Sequence, residues 1–277
     1  LPLREARVSP LDRAFLYGDG VYEVMPVYGG RVFRFRQHFD RLDRSLRELR
    51  MQPVHERKRW AEICEELVSR NGGGDMYLYV QVTRGAEYGR NHAPLPDIER
   101  TVFAFAAPLP PIAPEKIARG VAAVTAVDTR WTRCDIKSTA LLANVMLKQL
   151  AVDSGAAETI MLRDGVLMEG SSTTVHVVIR GVIIAPPRSN QILPGTTRDV
   201  VGELAQRGGI PFRSATVRES ELRSADEIFI GAATFGTLPV TTLDGKPVGA
   251  GVPGPVWKRI YALFDEYRRE LAGTPID

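Results

Sequence analysis

Lysine is scarce in this chain, and one of its six lysines stands apart from the others. Lys58, Lys116, Lys148, Lys246 and Lys258 fall in polar runs or beside turns, where a solvated ammonium is the ordinary outcome. Lys137 lies in Cys134-Asp135-Ile136-Lys137-Ser138-Thr139-Ala140-Leu141-Leu142, at the mouth of an apolar helix. Loss of solvation there would disfavour the ammonium and leave an amine able to form an imine with a carbonyl. The competing reading is a lysine paired with Asp135 at a helix start.

Three further groups have types and spacings that suit chemistry. Glu169 follows a hairpin strand in Met168-Glu169-Gly170-Ser171-Ser172. It is either a turn carboxylate beside capping serines or an acid partner that keeps a ring nitrogen protonated. Leu193-Pro194-Gly195-Thr196-Thr197-Arg198-Asp199 opens a helix, where unsatisfied backbone N–H groups and the helix dipole favour an anion. Arg41, on an earlier helix, is a surface arginine or a second clamp on that anion. In Thr83–Pro94, glycines and a proline bracket Arg90-Asn91-His92, whose first and last side chains share a parity and suit one carboxylate. The alternative there is a solvated loop.

The elements that must position these groups follow from periodicity. A Gly18-Asp19-Gly20 turn precedes a strand at Val21–Val27, Gly29-Gly30 marks a hairpin, and Arg31–Arg34 is the return strand. Phe39, Leu42, Leu46 and Leu49 form one stripe of a helix spanning Gln37–Met51, and a second helix covers Glu56–Arg70. Met76–Thr83 and Thr101–Ala106 are strands. Pro108–Pro114 holds the densest prolines and reads as a linker. Beyond it come a strand at Val121–Ala126, a helix at Ala140–Asp153 and a meander of short strands through Ala185. A helix at Thr197–Arg207, strands at Phe212–Val217 and Glu227–Gly231, a hairpin at Val240–Val248 and a helix at Pro255–Leu271 complete the chain. The fold class is α+β in two domains, a smaller one at 1–107 and a larger one at 118–277 joined by 108–117, with antiparallel strands.

Composition excludes several classes. The chain has 277 residues, 44% hydrophobic and 25% charged, with a net charge of +3. The arginines are interspersed with acids, so nothing points to nucleic acid. No apolar run reaches the ~18–20 residues of a membrane span. Two cysteines make no disulfide framework, which suits a reducing, cytoplasmic compartment. No metal-binding spacing is present.

Taken together the motifs resemble the class IV (fold type IV) pyridoxal-phosphate-dependent aminotransferases. Gly18-Asp19-Gly20-Val21-Tyr22-Glu23, His38-Phe39-Asp40-Arg41-Leu42, Asp135-Ile136-Lys137-Ser138, Glu169-Gly170-Ser171-Ser172 and Gly195-Thr196-Thr197-Arg198 stand in that family's order over nearly the whole chain. Within it, Gln81–Gly85, Arg90-Asn91-His92, Arg130–Ser138 and Thr196–Val201 look most like the subfamily acting on D-amino acids such as D-alanine.

The resemblance implies roles. Lys137 would attach pyridoxal 5'-phosphate and carry the proton between Cα and C4′. Glu169 would pair with the pyridine nitrogen, Arg41 and the Thr196 and Thr197 backbone would hold the phosphate, and Leu193 would pack on the ring. Ser172, Arg130 and the N–H of Ala233 would be cofactor neighbours. Tyr22, Arg90 and His92 would trap the substrate carboxylate, the last two reaching in from the second subunit of a homodimer. The reaction implied is ping-pong transamination between a D-amino acid and an α-keto acid such as 2-oxoglutarate. Branched-chain L-amino acid and (R)-amine transaminases share Lys137, Glu169 and Arg41, and aminodeoxychorismate lyase is a more distant sibling. Ala232 and Ala233 depart from the hydroxyl residues of the subfamily, which implies weaker cofactor retention. Related enzymes also carry a further N-terminal strand, so the resemblance implies chain ahead of Leu1.

Overall fold

Alternating apolar residues build the first sheet. In the computed structural model, which describes residues Leu1–Leu271, the chain divides into two units. The first holds Leu1–Leu109 and Ile136–Leu141, and the second holds Pro110–Asp135 and Leu142–Glu270. Residues 272–277, the end of the expected second domain, lie outside the described residues.

The first unit runs α1 (Arg13–Tyr17), β1 (Gly20–Tyr28), β2 (Arg31–Val32), α2 (Phe35–Glu48), α3 (Arg57–Arg70), β3 (Met76–Thr83) and β4 (Val102–Pro108). Its antiparallel sheet has the order β2-β1-β3-β4. Val21, Met25 and Val27 of β1 and Met76, Leu78, Val80 and Val82 of β3 face one side, as a period of two requires. Phe35, Phe39, Leu42 and Leu46 of α2, with Trp60, Cys64 and Val68 of α3, complete this core. The expected return strand stops at Val32 because Arg34 turns left-handed (φ 58°) and starts α2 at Phe35. Helix α1 lies just ahead of the expected Gly18-Asp19-Gly20 turn, where no element was expected: Asp12 caps it by accepting from the Ala14 N–H, and Gly18 ends it in the left-handed region.

The second unit runs α4 (Pro114–Arg119), β5 (Val121–Val127), α5 (Leu142–Asp153), β6 (Glu158–Arg163), β7 (Val166–Gly170), β8 (Thr174–Ile179), β9 (Val182–Ala185), α6 (Thr196–Arg207), β10 (Phe212–Ser214), α7 (Glu219–Arg223), β11 (Glu227–Ala232), β12 (Gly236–Leu243), β13 (Lys246–Pro247) and α8 (Pro255–Leu271). The sheet order is β10-β9-β8-β11-β12-β5-β6-β7, with β13 on β12. The α+β class is as expected, but the sheet is mixed. The pairs β9/β10, β12/β5 and β5/β6 are parallel. Helices α5 and α6 are the crossovers that let β5/β6 and β9/β10 run parallel. The expected helix at Ala140 begins two residues later, because 136–141 belong with the first unit. Pro114 opens α4 at its first turn, so part of the proline-rich stretch is helix.

Leu42 is fully buried between helix and sheet in the first unit. Leu42→Ala is expected to destabilise the protein by about 2–5 kcal/mol, read from the urea midpoint at constant slope.

Candidate active site

Lys137 is set in place by main-chain pairing. Strand β2 meets β1 only at Val27 and Tyr28, leaving the Gly20–Tyr22 end of that edge open. Residues 137–139 fill it. The Tyr22 N–H donates to the Lys137 carbonyl at 3.0 Å and the Thr139 N–H donates to the Gly20 carbonyl at 2.9 Å. Val21 and Ser138 form a bridge, and the Lys137 N–H donates to Ser45 Oγ of α2 at 3.3 Å. Gly18 makes room: a Cβ there would sit 2.9 Å from the Ala140 Cβ, on a backbone at φ +70°. The half-buried Lys137 side chain puts Nζ 4.3 Å from the centroid of the Tyr22 ring, and that ring stacks on Tyr79 at 5.6 Å.

Behind it lies a buried charged cluster. Glu23 shares the apolar face of β1 with Val21 and Met25, and it is fully buried. Arg41 Nε donates to Glu23 Oε1 and Arg41 Nη2 to Glu23 Oε2, each at 2.7 Å, and His38 Nδ1 lies 2.7 Å from Oε2. His38 and Arg41 are three residues apart on α2, hence on one face. Burial alone would raise the Glu23 carboxyl, but the charge and hydrogen bonds of Arg41, joined by His38, hold it at about 2. Burial pulls His38 below its ordinary value against the opposing pull of Glu23. Arg41, expected at a phosphate, is thus fixed in plane by a bidentate carboxylate.

In the second unit Glu169 is buried near the end of β7. Arg130 Nη1 donates to Glu169 Oε1 at 2.6 Å, and the Leu193 N–H donates to the same carboxylate at 3.2 Å. Arg130 also grips both oxygens of Asp128 at 3.0 Å, and Arg163 reaches Asp128 at 2.9 Å. Burial pushes the Glu169 carboxyl up, while Arg130 and the Leu193 N–H resist. Ser172 is exposed, with its hydroxyl 3.2 Å from Glu158 Oε2. The Ser171 hydroxyl donates to Glu158 Oε1.

The start of α6 is the candidate anion site. No side chain caps this end, and Thr196 and Thr197 supply first-turn amides. Gly195 and Gly231 wall it: a Cβ on Gly195 would fall 2.5 Å from Thr174 Cγ2, and one on Gly231 3.0 Å from both Thr174 Oγ1 and Thr197 Cγ2. Ala233 follows β11 in the turn that leads to β12 and brings no hydroxyl.

Arg90 and His92 are exposed on the 85–99 loop of the first unit. Both lie against Tyr17, with the Arg90 guanidinium 5.3 Å and the His92 ring 5.5 Å from its ring centroid. Within the first unit the structure therefore groups Lys137 with Tyr22, and Arg41 with Glu23 and His38. In the second it groups Glu169 with Arg130 and Leu193. Asp128 and Glu158 carried no signal beyond an acidic residue beside an apolar strand. In sequence Glu23 stood only at the end of the Gly18–Glu23 motif, with no role assigned to it.

Among the described residues no group of three or more His, Cys, Asp and Glu is arranged to hold a metal ion, and no helix is long and apolar enough to cross a membrane. The profile of the amino-transferase class IV family matches residues 20–243. A D-alanine aminotransferase of Bacillus licheniformis is 40% identical over 272 residues, 98% of this chain and 95% of that protein. One of Staphylococcus aureus (strain MSSA476) is 37% identical over 265 residues, 95% of this chain and 93% of that protein. Among solved structures, a branched-chain amino acid aminotransferase of Escherichia coli is similar with a TM-score of 0.88 at 28% identity, over 96% of this chain and 91% of that one. A second branched-chain amino acid aminotransferase, from T.th. and complexed with N-(5'-phosphopyridoxyl)-L-glutamate, gives a TM-score of 0.89 at 28% identity, over 99% and 91%.

The buried cluster makes the protein acid-sensitive. Glu23, at about 2 in the fold against 4.5 ordinarily, contributes roughly 3 kcal/mol that is whole above pH 4.5 and is lost as the pH falls towards 2. His38, held neutral, adds a loss that begins below its ordinary 6.5. Urea unfolding between pH 7 and pH 3 is expected to show stability falling with acid. Glu23→Gln should be less stable at pH 7 and flatter below pH 4.5.

Proposed function

The chain belongs to the class IV aminotransferases, and from that premise we propose that it transfers an amino group from a D-amino acid such as D-alanine to an α-keto acid such as 2-oxoglutarate, in two half-reactions. The reading rests above all on the likeness to D-alanine aminotransferases along nearly the full chain, together with the Arg90-Asn91-His92 motif. A second reading also has an observation behind it: solved branched-chain amino acid aminotransferases share the fold. Their identity is lower, and the D-amino acid reading is preferred. An (R)-amine transaminase is the third donor class in the test below.

The family's cofactor is pyridoxal 5'-phosphate, and the residues present fit its chemistry. A lysine suits its aldehyde, a buried carboxylate its ring nitrogen, and uncapped helix amides walled by glycines its phosphate. When bound, it supplies the carbonyl that takes up the amino group and a ring that withdraws electrons from Cα. Lys137 is assigned as the attachment residue and as the base that takes the proton from Cα and returns it at C4′. Glu169 would hold the ring nitrogen, with Arg130 and the Leu193 N–H opposing the burial that pushes its carboxyl up. The phosphate would be held by the Thr196, Thr197 and Ala233 amides, and the family resemblance assigns it the Arg41 guanidinium as well. Leu193 and Ser172 would be neighbours of the cofactor. Tyr22, Arg90 and His92 bind the substrate carboxylate.

Arg90 and His92 are exposed, which supports their reaching the site of a second copy in a homodimer. Cys64 and Cys134, both buried and free, support a reducing, cytoplasmic compartment. We assign residues 1–107 and 118–277 as the functional domains.

The test is a half-reaction on purified holoenzyme. D-alanine, L-leucine and (R)-1-phenylethylamine are offered in turn, and the loss of the bound cofactor's visible absorbance is timed. D-alanine is expected to react fastest, and faster reaction of either other donor would reject the D-amino acid reading. Glu169→Ala is expected to lower kcat by about a hundredfold, roughly 2.7 kcal/mol, with the cofactor still bound. Unchanged turnover would remove Glu169 from the mechanism.

A further inference from the structure

The loop that carries Arg90 and His92 has almost no regular structure, and a loop of that length is mobile unless something ties it down. Its base is closed by Gly85. A Cβ there, at φ +108°, would lie 1.9 Å from the Glu99 carbonyl oxygen, so only glycine lets the two ends meet. Its middle is held by one residue of α1.

The Arg13 side chain is buried, 4% exposed. Its Nη1 donates to the Asn91 carbonyl at 2.7 Å and its Nη2 to the His92 carbonyl at 2.9 Å. Its Nε donates to Asp19 at 2.9 Å, and Nη1 also donates to Glu87 within the loop. Both acids have further duties that lock them. Asp19 accepts from Arg84 at 2.7 Å, and the second oxygen of Glu87 accepts from the Leu95 N–H at 3.0 Å. The α1 main chain joins in: the Arg13 N–H donates to the Gly85 carbonyl at 2.9 Å, and Asp12 bridges Ala86.

Tyr17 lies four residues on, on the same face of α1. Its ring takes the Arg13 guanidinium at 4.7 Å and the Arg90 guanidinium at 5.3 Å, with the His92 ring beside it at 5.5 Å. Thus one short helix grips the backbone of the Arg90-Asn91-His92 motif through Arg13 and seats both of its functional side chains on Tyr17.

We propose that Arg13 is a positioning residue for substrate binding, its guanidinium fixing the 85–99 loop so that Arg90 and His92 meet the substrate carboxylate. The inference rests on the assignment of Arg90 and His92 as the carboxylate trap. Only a guanidinium fits. Two consecutive carbonyls and two carboxylates need several donors held in one plane, which the compact ammonium of lysine does not offer. A buried charge paired to Asp19 outside the loop and to Glu87 within it also resists being pulled out, since each broken pair leaves a charge unsolvated. Arg13 touches neither substrate nor cofactor in this scheme. Its effect is on binding rather than on the proton transfers at Lys137.

The experiment compares Arg13→Lys, Glu87→Gln and Arg90→Ala with the parent holoenzyme. It measures kcat and KM for 2-oxoglutarate and hydrogen–deuterium exchange of the 85–99 amides. Arg13→Lys is expected to raise KM about tenfold or more, with kcat within about twofold. Exchange should quicken in 85–99 and stay unchanged in β1 and α2. Glu87→Gln keeps the acceptor's shape and is expected to shift KM and exchange the same way by less, so the test survives if Arg13→Lys folds poorly. A raised KM in Arg90→Ala with unchanged KM and exchange in the Arg13 and Glu87 variants overturns the inference and leaves the trap assignment standing. An unchanged KM in Arg90→Ala as well overturns both. A fall in kcat at constant KM in Arg13→Lys overturns the positioning role.

Discussion

The structure depends on one short stretch of main-chain pairing. Strand β1 needs partners along both edges, and β2 is too short to cover more than its far end. Residues 137–139 take the open end, with bonds from Tyr22 to Lys137 and from Thr139 to Gly20. That pairing places a lysine from the middle of the sequence on the sheet of the first unit, beside Tyr22. It also explains the small residues around it, since Gly18 and Ala140 are as close as their main chains allow. A backbone ladder is a stiffer support than a side-chain contact, and a residue that must attach a cofactor and carry a proton gains from it.

Several of the buried charged residues stand in closed sets. Glu23 answers Arg41 and His38, Glu169 answers Arg130, and Asp128 answers Arg130 and Arg163. Each set fixes the plane of a guanidinium or carboxylate that a free side chain would leave to rotate. The cost of burying these charges is offset only while every member is present, so the sets also link site geometry to acid stability. The cluster around Arg13 follows the same rule on the loop side.

Much of this was legible from residue patterns. The stripe Phe39, Leu42, Leu46 located α2, alternation located β1, a β-rich run located β3, and the glycine–threonine start located α6. Lys137 and Glu169 were visible as odd residues in their settings, and the ordered motifs joined them. What escaped was long-range or short. The crossovers at α5 and α6 make β5/β6 and β9/β10 parallel, and β12 joins β5 in parallel from far along the chain, which strand runs alone do not reveal. The loss of Ala140 and Leu141 from the expected helix goes with the pairing of 137–139 on an open sheet edge more than a hundred residues away. Helix α1 is five residues long, below what periodicity can register, although its Asp12 cap and Gly18 stop were in plain view. The partners of Arg41 and Arg130 were hidden because a buried carboxylate looks like any other acid until its strand is folded.

The measurement that bears most directly on this account is borohydride reduction of the holoenzyme followed by proteolysis and peptide mass mapping. Reduction makes the lysine–cofactor bond permanent, so the modified residue is identified without reference to turnover. The account predicts a single phosphopyridoxyl adduct on Lys137. An adduct on Lys148, Lys258 or any other lysine, or none at all, would contradict it.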